Sequence, residues 1–303
     1  MFTAFTNHPG EWFALLTAIF WTVTALAFES ASLKLGSLAV NFIRLVFGLI
    51  FLTLFLGIFQ KAWFPVNASY YNWFWLVLSG LIGFVIGDLF LFKSYTIIGS
   101  RFAMLIMALA PLLAAFFSLV ILGEELKSTA IAGMFITLTG ISMAVVSRKD
   151  NESRKLRIKL NPKGLLFAFL GATGQALGLV LSKIGMKDTD PFAATQIRII
   201  AGLAGFTLLV TLMHRWKMIG SSFRNIPALR DVTIGAFFGP FLGVSFSLKS
   251  LIYTETGIAA TIMSIVPILI IPPAVLLFKQ KFTWAEVIGS FICIAGVSVF
   301  FIL

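Results

Sequence analysis

Three charged side chains stand inside long apolar runs of this chain, Arg44, Asp88 and Arg198, and a fourth, Lys183, stands near the end of one. An ionised group placed there costs a few kcal/mol or more unless it pairs, reaches the interface or faces water. Asp88 is the one carboxylate in the central part of such a run. It could take up and release a proton or pair with a cationic solute. The plainer alternative is a salt bridge to Lys93, although a five-residue spacing is off the best helical pairing. Arg44 and Arg198 have the same two readings: they reach the interface or pin a neighbouring helix end, or they contact a substrate or coupling ion. Trp21 and Gln175, with Asn41 and Gln196, add aromatic and polar surface inside the same runs.

Catalytic patterns are missing. The sequence has no paired carboxylates, no His-Glu-x-x-His and no Gly-x-Ser-x-Gly. A lone Cys293 excludes an intrachain disulfide, and His8 and His214 have no metal-ligand spacing. No catalytic residue, metal or cofactor is expected, and without a phosphate loop neither is ATP hydrolysis.

The elements that must hold these residues are membrane helices. Of 303 residues 59% are apolar and 12% charged, against about 45–50% and 25% in soluble domains, and the mean hydropathy is +1.00. Ten spans of about the length a bilayer requires are expected: 12–28, 38–59, 72–94, 100–122, 128–147, 164–183, 192–213, 229–250, 256–278 and 283–302. In lipid such stretches satisfy their backbone only as helices. The first has neither a basic lead nor a small-residue cleavage pattern, and is read as a retained helix. The net charge of +11 lies in short gaps between spans, a loop bias rather than a nucleic-acid surface.

An internal repeat organises the spans. A shift of 156 residues overlays Gly83 on Gly239, Gly87 on Gly243, Lys93-Ser94 on Lys249-Ser250, Pro111 on Pro267, Gly133 on Gly289 and Gly140 on Gly296. Earlier in each half the shift is 154, and it pairs Arg44 with Arg198 and Trp21 with Gln175. Residues 1–147 and 163–303 are therefore two five-span units, joined by a basic linker at 148–162. An odd span number means that the second unit enters the membrane from the opposite side. The expected fold is an all-α polytopic membrane protein with two inverted repeats, which favours a midplane site between the halves.

Several residues within this frame are assigned to shape. Pro111 and Pro267 are expected to kink their spans, and Pro240 and Pro272-Pro273 add breaks in the second half alone. Gly83/Gly87 and Gly235/Gly239/Gly243 permit close helix approach. Gly133/Gly140 and Gly289/Gly296 sit seven apart on one helical face, a spacing like that of the dimerising helix in small multidrug resistance proteins. The fifth and tenth spans should pack on each other or on a second copy, which would make a homodimer; otherwise the chain is a monomer. Lys93 and Lys249 end the third span of each half, where a helix C-terminus favours a cation. Glu29 and Glu255 are read as interfacial.

Across all ten spans the chain resembles the EamA-type transporters of the drug/metabolite transporter superfamily. The markers are Arg44 and Arg198 early in the second span of each half, Lys183 fifteen residues before the latter, and the proline of each fourth span. Gly123-Glu124-Glu125-Leu126 looks like the family's Gly-Glu-x-Leu element. Glu29 stands where the first half would carry the equivalent of Lys183, and Gln280 stands opposite Glu124, so any Lys183 role is asymmetric. The resemblance implies a cavity among spans 1–4 and 6–9, lined in part by Trp21 and Gln175.

Secondary transport is then the expected function, as export of amino acids or related amphipathic solutes across a membrane of the bacterial inner-membrane type. A channel, an intramembrane enzyme and an assembly subunit are the alternatives. The expected partners are a small-molecule substrate and the bilayer. On orientation the two arguments differ. Alternate loops carry sixteen Lys/Arg against five, which puts both termini outside, whereas the family resemblance implies both inside.

Overall fold

The computed structural model describes residues 8–147, 161–273 and 284–302. Most of the basic linker, Lys279, Gln280 and Lys281 lie outside the described residues, as do the side chains of Glu29 and Pro267. The described chain is nearly all helical, without a strand. The first half holds α1 (Pro9–Leu35), α2 (Ser37–Phe59), α3 (Tyr70–Gly80), α4 (Asp88–Met107), α5 (Ala110–Leu122) and α6 (Ser128–Ser147). The second holds α7 (Pro162–Gly185), α8 (Pro191–Leu212), α9 (Trp216–Ser222), α10 (Ile226–Ala236), α11 (Val244–Ser250), α12 (Thr256–Met263), α13 (Val266–Leu269) and α14 (Trp284–Val299). By length and composition six stretches can cross a bilayer: Pro9–Ser32, Ser37–Phe59, Tyr70–Leu91, Pro162–Gly185, Pro191–Leu212 and Ile226–Ser250.

Local chemistry sets the joints. α1 passes to α2 through Gly36 alone, at φ 80°, a left-handed conformation that glycine adopts without a Cβ penalty. At α8 the Asp190 carboxylate accepts from the backbone N–H groups of Phe192 and Ala193, and Pro191 follows directly. These are the N-cap and first-turn positions such residues favour. The Ser69 hydroxyl and the Asn72 side chain cap α3 reciprocally. The Asn72 amide also donates to the carbonyls of Gly185 and Lys187, at 2.9 and 2.7 Å, which fixes the start of α3 beside the end of α7.

Two expectations about the fourth spans are corrected. Pro111 and Pro267 do not bend continuous helices. Each stands in the first turn of a new helical piece, α5 and α13, after a break at 108–109 and 264–265. Near an N-terminus the missing proline N–H removes no helical bond, so the chain restarts there. In the first half the expected gap at 95–99 is instead continuous helix within α4. The second half does turn at 251–254, between α11 and α12.

A feature the periodicity did not disclose occurs in both halves. The helix widens to π-helical turns at Leu81–Gly87, between α3 and α4, and at Phe237–Gly243, between α10 and α11. The two segments are 156 residues apart. Glycines weaken the i to i−4 ladder in both, and Pro240 lacks the N–H altogether. π-helical turns inside α-helices are frequent at functional sites.

Packing is reciprocal between the halves. α7 lies along α3, the first π turn, α4 and α5, while α1 lies along α10, the second π turn, α11 and α12. α2 packs on α8, and α6 on α14. The last pair meets through glycine: a Cβ at Gly289 would lie 2.7 Å from the Gly140 carbonyl, and one at Gly296 2.9 Å from the Gly133 carbonyl. These glycine faces are occupied within the chain.

Candidate functional site

The first π turn places Asp88 at the start of α4, where three elements meet. The Asp88 Oδ2 accepts from Arg44 Nη2 of α2 in a buried ion pair, and Oδ1 accepts from the Gln175 amide of α7 at 2.8 Å. The same amide donates to the Gly83 carbonyl at 3.2 Å. Asp88 is 7% exposed, so both carboxylate oxygens are used in a setting where an unpaired charge is costly. The pairing with Lys93 is not formed; Lys93 is exposed, with its ammonium 5.1 Å from the Phe167 ring.

Gln175 reaches Asp88 because α7 presents small residues to the π turn. A Cβ at Gly174 would lie 2.8 Å from Gly87 Cα, and one at Gly178 2.8 Å from Gly83 Cα. The Ser79 hydroxyl lies 2.7 Å from that of Ser182 and donates to the Gly178 carbonyl. The mirrored contact is different. α1 carries Thr17, Trp21, Thr24 and Phe28 where α7 has Gly171, Gln175, Gly178 and Ser182. A Cβ at Gly243 would sit 2.6 Å from Trp21 Nε1, and one at Gly239 2.8 Å from Thr24 Cγ2. Trp21 thus lies against the second π turn and makes no recorded bond with the Asp88 group.

Arg198, the repeat partner of Arg44, is 5% exposed. Its guanidinium lies over the Phe84 ring at 4.8 Å, a cation–π contact. Arg198 Nη2 lies 3.5 Å from where a Gly83 Cβ would be. Neither arginine is exposed: Arg198 is buried and Arg44 half-buried. Arg44 is held by Asp88, and its guanidinium is 5.6 Å from the Phe28 ring. Asn41 and Gln196 are buried, and the Gln196 amide donates to Thr53 Oγ1 and the Trp63 carbonyl.

Lys183 belongs to a second cluster at one end of the bundle. Its ammonium pairs with Glu124 Oε1 at 2.5 Å and donates to the Thr254 carbonyl at 2.9 Å. Glu124 Oε2 accepts from the Thr256 backbone N–H at 2.8 Å, at the start of α12. Gly123, at φ 69°, turns the chain after α5 so that Glu124 can reach across, which gives the Gly-Glu-x-Leu element a physical role. Burial pushes the Glu124 carboxyl up, but hydrogen bonds from Lys183 and Thr256 and the Lys183 charge outweigh it and hold the group below the ordinary glutamate range. The Thr254 hydroxyl also donates to Glu11 Oε1 of α1 at 2.9 Å. A cavity of about 670 Å³ opens here, lined by Tyr71, Leu122, Lys183, Asp190 and Leu251 among others. The opposite end is tied by Lys34 and Ser30 to Asp231 Oδ2, at 2.9 and 2.7 Å. Lys249 faces the Phe13 ring at 4.6 Å. Among the described residues no group of three or more His, Cys, Asp or Glu could hold a metal.

The EamA-like transporter family model matches residues 8–146 and again 162–302. The chain belongs to the EamA-like transporter family. Each matched segment carries a π turn and a repeat-matched arginine, Arg44 or Arg198, and both arginines lie against the first π turn. A relative from Bacillus subtilis (strain 168), "Uncharacterized transporter YyaM", is 24% identical over 202 residues, a match covering 64% of this chain and 63% of that protein. The match therefore spans less than two thirds of the relative's length. A solved crystal structure is similar with a TM-score of 0.74 and 18% identity, over 96% of both chains, which shows a shared fold. Family and relative agree with a multi-pass membrane protein.

Proposed function

We propose that this chain is a secondary transporter that exports small amphipathic metabolites, amino acids or related solutes, by alternating access at a midplane site between inverted repeats. The observation that carries the reading is the Arg44–Asp88–Gln175 group on a π turn. It joins polar side chains from both halves deep in an apolar bundle, a setting in which an ionisable residue is a functional-site candidate by default. Inversion is supported by the meeting at Thr254, which bonds Glu11 near the start of α1 and Lys183 near the end of α7. This meeting is the one expected if the first helices of the two halves run oppositely. Reciprocal packing of α1 and α7 on the other half's third and fourth spans agrees with exchange between two mirrored arrangements.

The phenylalanines around the second π turn, Phe51, Phe55, Phe192 and Phe241, give an apolar wall suited to amphipathic solutes. A gradient or the solute's own concentration supplies the energy. The test is counterflow of labelled amino acids in proteoliposomes of the purified chain. Saturable, trans-stimulated flux is expected. Non-saturable flux would make the protein a channel, and no flux over a broad amino-acid and drug panel would remove the transporter reading.

A further inference from the structure

We infer that Arg198 is an anion-binding residue and that the transported solute carries a carboxylate. This rests on the transporter reading and names its substrate class. The two repeat-matched arginines are not equivalent. Arg44 has a counter-ion, Asp88, in the third span of its own half. The residue that matches Asp88 at the 156 shift is Val244, a buried apolar side chain. In the second half the guanidinium therefore has no carboxylate at the matching position.

The Asp88 carboxylate takes Gln175 at Oδ1 and Arg44 at Oδ2 and makes no ion pair with Arg198. Arg198 turns to the first π turn, over Phe84 and beside Gly83. Its Nε has no acceptor among the described residues, as is also true of Arg44 Nε. Among the described residues, two guanidiniums and one carboxylate meet at this turn, one positive charge in excess. A guanidinium is always charged and presents a planar fork that matches a carboxylate in bidentate fashion. A carboxylate brought by the solute would neutralise the excess, while the Phe84 ring and the neighbouring aromatic wall would take its apolar part.

Matched probes test the charge directly. N-acetyl-L-phenylalanine and N-acetyl-L-leucine, with their neutral carboxamides, are titrated against the full purified chain in detergent, with the melting temperature as readout. The two acids are expected to raise it and the amides not. Arg198→Gln should weaken the response to the acids about tenfold or more, and Arg198→Lys should retain part of it. Monodispersity on size exclusion checks that both variants are folded, and the acid–amide comparison needs no variant at all. Amides as effective as acids, acids without effect, or an unchanged response in Arg198→Gln would each overturn the inference. Counterflow separates the two levels: saturable flux of neutral probes with none of acids sinks the carboxylate and keeps the transporter, whereas no flux of either removes both.

Discussion

Arg44 and Asp88 hold one another at a cost that neither could bear alone. Removing one partner of a buried pair typically costs about 3–5 kcal/mol, because the other charge is left uncompensated. Asp88→Asn should destabilise the purified chain by an amount of that order, measured by denaturation in mixed micelles. The double variant Arg44→Gln/Asp88→Asn should recover a good part of the loss. Additive losses in that cycle would show that the pair is not coupled. Proton coupling makes a separate demand on Asp88: the pH profile of flux should change in Asp88→Asn, and an unchanged profile removes this residue from the coupling step. Glu124 titrates at the other cluster. Folding lowers its pKa, so protonation favours the unfolded chain. The stabilisation from the Lys183 and Thr256 bonds is complete above the ordinary glutamate range and disappears as pH falls through the folded value. Glu124→Gln should cost about 1–3 kcal/mol at pH 7, and the difference from wild type should close as pH falls through the lowered folded-state value.

Among the elements, the α6–α14 seam and the paired π turns are the most demanding of small residues. Where a Cβ would lie within 3 Å of another helix's backbone, as at Gly140 and Gly289, a larger side chain must push the helices apart. Gly289→Val is expected to cost several kcal/mol through overpacking, whereas Gly220→Ala, in α9 with open space around its Cβ position, should be neutral or slightly stabilising. Thermal unfolding of the two side by side checks the contrast. Equal effects would mean that the seam is not tight. The π turns hold the polar site to a similar tolerance. At Gly178 any side chain must displace Gly83, and with it the carbonyl that receives Gln175.

At the scale of the whole molecule, the loops divide between two ends. Glu11, Glu124, Lys183 and Thr254 meet at one, and Lys34 and Asp231 at the other. By the alternation of the ten expected spans, sixteen Lys/Arg are assigned to the Lys34 side and five to the Lys183 side. We expect from the positive-inside bias that the Lys34 side is cytoplasmic and both termini are outside, the reverse of what the family resemblance implies. A cytoplasm-only reporter fused after Leu303 should be silent, and its activity would reverse the orientation.

The sequence alone was enough for the solvent, the helical class and the repeat, because each follows from composition and from offsets that a one-dimensional string preserves. Lys, Arg, Pro and Gly recurring at shifts of 154 and 156 also pointed to Arg44, Arg198, Gln175 and the packing glycines. Which partner each charge takes was not legible there. Arg44 and Asp88 are 44 residues apart and Gln175 and Asp88 are 87, and such separations close only when the helices pack, across the two halves in the case of Gln175. Lys183 takes a counter-ion that its place in the sequence did not disclose, Glu124, held by the turn at Gly123. The π turns were hidden too, since a widened turn alters the hydrogen-bond ladder without disturbing the apolar run. Asp88 opened the sequence reading as a lone carboxylate. The tertiary structure makes it one charge of three, and the unmatched member of that set is Arg198.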